Sequence, residues 1–165
     1  MKLRAIWLTG LTALTLLAGL GLYLAPLKPN LVALQFAFSP ERFGLILVQW
    51  GPEGVALFRS HLPIDGILLL CYGTFGYLLV MRTRIFSNQS KTTRHWLALL
   101  MPLAALADSG ENLLHWLLTG SQEQLPLWVY ALAGLFASLK WVGLVLFTVA
   151  TIWAVVGRRL THISS

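Results

Sequence analysis

The chain has 165 residues, of which 57% are hydrophobic and 11% charged, with a mean hydropathy of +0.73. A soluble domain carries about 25% charged residues, so the composition excludes an ordinary water-soluble domain and reads as one polytopic membrane unit. The net charge of +6 comes from Lys and Arg scattered through membrane-flanking segments, with no module to present them to nucleic acid, and contact with lipid headgroups accounts for it.

The expected fold class is all-α: a single four-helix transmembrane domain over residues 1–165, with two short amphipathic helices in its first outer loop. No alternation of apolar and polar residues points to barrel strands. The first span is expected over about 5–26. Its basic start, MKLR, resembles a signal peptide, but an h-region is about 7–15 residues long and this apolar run is longer, so the segment is read as retained.

The outer loop that follows, FSPERFGLILVQW and PEGVALFRSHL included, is too apolar for a plain linker. Ser39 is placed to cap a helix, Pro40 to occupy its first position and Glu41 its first turn. Phe43, Ile46, Leu47 and Trp50 then share one face. Gly51 and Pro52 break this helix, and residues 52–62 form a second one before Pro63. The two helices are expected to lie in the outer membrane interface, with a lid over the bundle as the alternative for the segment 39–62.

The second span is expected over 63–81, the third over 96–118 and the fourth over about 127–156, each near or above the roughly 20 residues that cross a bilayer as helix. Lys2, Arg4, Arg82, Arg84, Lys91, Arg94, Arg158 and Arg159 fall on one side of this arrangement. Only Lys28, Arg42 and Arg59 fall on the other. Both termini are therefore expected in the cytoplasm, with the chain in an inner (plasma) membrane. The lone cysteine, Cys71, makes no internal disulfide and no CxxC pair, and reads as a small buried hydrophobe.

The third span carries the most informative stretch, ALADSGENLLHW. Asp108, Glu111, Asn112 and His115 stand at i, i+3, i+4 and i+7, which on a helix is one stripe. A charge facing lipid at depth costs at least about 2.5–3.5 kcal/mol, so the stripe is expected to face the bundle interior or a cavity. Lys140 is the one cation within a span. At 1.5 Å per residue its backbone lies roughly 7–8 Å from the level of Asp108. The two side chains lean toward each other because the helices run in opposite directions. An Asp108–Lys140 pair is the leading expected contact, with Glu111 sharing it.

The second span adds Asp65 and Tyr72, with Tyr72 near the depth of Asp108. Asp65 is read first as a carboxylate in the first turn after Pro63, favoured by the positive helix end. If it faces inward, the residues form a polar funnel open to the outside with Lys140 at its base. Gly76 stands one turn beyond Tyr72 on the same face, Pro102 can kink the third span, and Gly110, Gly134, Ser138 and Gly143 are read as packing positions.

The leading functional reading is an accessory or assembly subunit, a partner-binding module in which the polar cluster fixes helix register. Its expected partners are the bilayer and a membrane protein or a second copy of itself. The alternative is a binding protein for a lipid-like or amine ligand, or an intramembrane enzyme acting on a lipid through Asp108, Glu111 and His115. The reading leans away from an enzyme, since no nucleophile motif is present. No cofactor is expected. Haem or metal at His61 and His115 is disfavoured because both histidines are read as solvated near the outer boundary, and no metal ligands are assigned.

Overall fold

The computed structural model describes residues 2–121 and 123–163, and every element in them is helical. In chain order these are α1 (Lys2–Tyr23), α2 (Leu31–Gln35), α3 (Pro40–Arg82), α4 (Lys91–Gly120) and α5 (Leu127–Ile163). Four of them, all except α2, are long and apolar enough to cross a membrane. The side chains of Arg158 and Arg159, counted for orientation above, lie outside the described residues.

Local chemistry sets the helix starts. Ser39 Oγ accepts from Arg42 N at 3.4 Å, with Pro40 at the first helical position. Ser90 Oγ accepts from Thr93 N at 3.1 Å to open α4, and Asn30 Oδ1 caps α2 through Ala33 N at 3.2 Å. These side chains satisfy amides that the first turn of a helix leaves without partners. The ends are held by arginines. Arg94 donates to the carbonyls of Val80 and Met81 at 3.0 and 2.7 Å, closing α3. Arg59 donates to the Trp116 carbonyl at 2.7 Å and lies 4.1 Å over the Trp116 ring, closing α4.

The outer loop differs from expectation in two ways. The arm 40–50 is a helix that ends at Gly51, whose φ of 62° and ψ of 178° interrupt the helical run. Residues 52–62, however, are no separate second helix. They continue through Pro63 into the second span, so α3 is one long rod with a bend near its start. Proline in a helix removes one hydrogen bond, but Phe58, His61 and Leu62 on the turn before it are buried, and that packing holds the helix through Pro63. The other difference is α2, a turn and a half of helix within the segment expected to be loop.

The arm 40–50 does not turn its aromatic face toward lipid. Phe43, Ile46 and Trp50 are buried in a core with Phe58, Leu118, Val129 and Tyr130, while Leu45 and Val48 on the other face are exposed. The helices pack in the order α1, α3, α4, α5, each against the next. Among the described residues no extended packing joins α1 to α5. The exposed surface is strongly apolar: Trp7, Leu11 and Leu22 on α1 and Val142, Val149 and Trp153 on α5 all face outward. That distribution suits an acyl-chain environment and would be unstable in water.

Candidate functional site

The polar residues singled out in the sequence come together in the interior. Lys140 Nζ lies 3.0 Å from Asp108 Oδ1 and 2.6 Å from Glu111 Oε2. Tyr72 donates its hydroxyl to Asp108 Oδ2 at 3.1 Å. The expected Asp108–Lys140 contact is thus present, with Glu111 sharing it. Helix spacing explains the arrangement on one side: Asp108, Glu111 and His115 repeat at three and four residues and are all buried on the inner face of α4. Lys140 reaches them from α5 and Tyr72 from α3.

Asp65 corrects its first reading. It does not sit in a first helical turn, because the helix begins more than two turns earlier. It is part-buried along the rod and accepts from Asn112 Nδ2 at 2.6 Å. His61 and His115 also depart from expectation. Neither is solvated; they are 3% and 2% exposed. His61 Nδ1 donates to the Phe58 carbonyl one turn back. His115 is enclosed by aromatic rings, with Phe43 stacked at 5.9 Å and Phe58 edge-on at 5.9 Å between centroids. Among the described residues, no three His, Cys, Asp or Glu side chains gather in a metal-ligating arrangement.

Glu111 is the most confined group of all. It has no exposed surface. Its Oε2 lies in an ion-pair contact 2.6 Å from Lys140 Nζ, while its Oε1 faces His115 Nδ1 at 3.6 Å, beyond hydrogen-bond range. A buried carboxylate oxygen without a hydrogen bond is costly, and native interiors seldom leave one.

The cluster borders a cavity of about 610 Å³. One wall is α1, with Leu14, Leu17, Leu20 and Gly21. The opposite wall is α5, with Lys140, Trp141 and Leu144. Between them stand Tyr72 and Asp65 of α3 and Asp108, Glu111 and His115 of α4. The volume falls within the roughly 300–1,000 Å³ typical of ligand pockets. Because α1 packs along α3 and not along α5, the cavity is the space between those two helices, apolar on its flanks and charged at its buried pole.

Sequence reasoning missed three contributors. Gln35 of α2 is buried and accepts from Trp141 Nε1 at 3.1 Å, which ties the short outer helix to α5 beside the cavity. Its only signal was an amide in an apolar run. Trp141 was hidden by its neighbour Lys140, and the α1 wall by the uniform leucines of that helix. Comparison with protein-family models, with curated proteins and with solved structures finds no match to this chain.

Proposed function

We propose that this protein is a membrane-embedded binding protein for a lipid-like amphiphile. One observation carries the reading: a single cavity joins leucine-rich walls to a buried cluster of carboxylates and an ammonium. An apolar chain fits the walls of α1 and α5, and a polar end fits the pole formed by Asp108, Glu111 and Lys140. The unpacked seam between α1 and α5 gives a route from the bilayer. The accessory-subunit reading has no comparable support, since the exposed leucines and tryptophans of α1 and α5 suit acyl chains as well as a protein partner.

The finer topology belongs to the same proposal. The chain lies in an inner (plasma) membrane with both termini and the loop between α3 and α4 in the cytoplasm, as the excess of Lys and Arg on that side favours. The arm 40–50 and α2 then cover the outer end of the site as a lid, with Phe43 over His115.

Binding of a fluorescent dodecyl amphiphile to the purified protein in lipid nanodiscs tests the reading. Gly21 lines the cavity, and a Cβ built on it meets nothing within 4 Å. Gly21→Trp therefore introduces a bulky ring at the cavity wall from a position where no atom crowds its Cβ. Saturable binding lost in Gly21→Trp is the expected result. Unsaturable partitioning, identical in both proteins, would refute the proposal.

A further inference from the structure

Resting on that reading, we infer that the headgroup selected by the cavity is a protonated amine, held by the Glu111 carboxylate. The charges at the buried pole do not balance. Asp65, Asp108 and Glu111 are three carboxyl groups, and Lys140 is the single ammonium among them. His61 and His115 also face this space. Lys28 lines the cavity but is exposed at its outer rim, where solvent screens it.

The hydrogen bonds are unequal in the same direction. Asp108 has two donors, Tyr72 and Lys140. Asp65 has Asn112. Glu111, fully buried, has the Lys140 ammonium 2.6 Å from Oε2 and no hydrogen bond on Oε1. The site therefore falls short of positive charge, with three carboxyl groups to one ammonium, and Glu111 Oε1 falls short of a donor. A protonated amine supplies both. An alcohol supplies the donor without the charge, a quaternary ammonium supplies the charge without the N–H, and a fatty acid adds a further negative charge beside three carboxyls. Phe58 and Tyr72 also line the cavity, and aromatic rings attract cations.

The alkyl chain is kept constant to isolate the headgroup. Dodecylamine, dodecanol, dodecanoate and dodecyltrimethylammonium are each used to displace the fluorescent dodecyl amphiphile from the full-length protein in nanodiscs at neutral pH. Dodecylamine is expected to compete about tenfold or more better than the other three, the difference a charge-assisted hydrogen bond makes. Glu111→Gln is expected to bring the four to within about twofold of one another while alkyl binding persists. Equal competition by all four in the unaltered protein, or a lead for dodecanol or dodecanoate, would overturn the headgroup assignment and leave amphiphile binding standing. Failure of all four to displace the probe would overturn both. The ranking in the unaltered protein decides the matter even if Glu111→Gln does not fold.

Discussion

Lys140 is the residue on which the interior charges depend. It touches both Asp108 and Glu111, and removing one partner of a buried pair typically costs about 3–5 kcal/mol because a bare charge is left behind. Lys140→Met should therefore lower unfolding stability in detergent or nanodiscs by that order, while Leu146→Ala, on an exposed position of α5, should cost less than about 1 kcal/mol. Equal losses would contradict the pairing. Tyr72→Phe removes one neutral donor from Asp108 and should cost about 1–2 kcal/mol in the same measurement. This part of the site was legible in the sequence because polar residues in an apolar span have few places to go. The i, i+3, i+4, i+7 spacing of Asp108, Glu111, Asn112 and His115 defined one face, and opposite helix directions brought Lys140 to it. The roles of Asp65 and the two histidines were not legible, because they depend on where α3 begins and on which aromatic side chains close over the outer end.

At the scale of elements, α3 holds the main misreading and the main hinge. A proline after an apolar segment usually marks a helix boundary, and Pro63 was read that way. The burial of Phe58, His61 and Leu62 overrides that local preference. The five residues of α2 are too few to show a period at all. The four long apolar helices, by contrast, were legible from length and apolar content alone, although the helices run beyond the expected bounds, by a few residues at Lys91 and furthest at the start of α3. The real break in α3 is Gly51, at a φ of 62°. Its ψ of 178° lies outside the left-handed helical region, so every side chain, Asn included, is strained there. Gly51→Val should cost about 1–3 kcal/mol and loosen the arm 40–50, and Gly51→Asn should cost about as much. Cysteine labelling reports the arm directly, with Cys71 replaced beforehand. A cysteine at Val48, which is exposed, should react in both backgrounds. One at Phe43, which is buried, should react only with Gly51→Val present. Equal protection at position 43 in both backgrounds would show that the bend does not set the arm.

At the scale of the whole molecule, the four long helices form an open row and not a closed ring, since among the described residues no extended packing joins α1 to α5. Closing them would bury more apolar surface in water, but in a bilayer lipid tails are as good a neighbour as leucine, so the gap carries no such penalty. The proposed topology puts the carboxyl end of α5 in the cytoplasm. A C-terminal reporter active only in the cytoplasm should then be active, and one active only outside should be silent. The reverse pattern would invert the membrane assignment and place the lid on the cytoplasmic face.

The most direct test is native mass spectrometry of the protein extracted gently from its own membrane, beside Gly21→Trp prepared identically. Binding of an amphiphile in the cavity predicts a defined non-covalent mass on the unaltered protein, absent from the variant, that carries an apolar chain and ionises as an amine. An unoccupied chain in both samples, or the same adducts on both, would contradict it. A stoichiometric protein partner in place of a small mass would return the buried cluster to a role in fixing helix register.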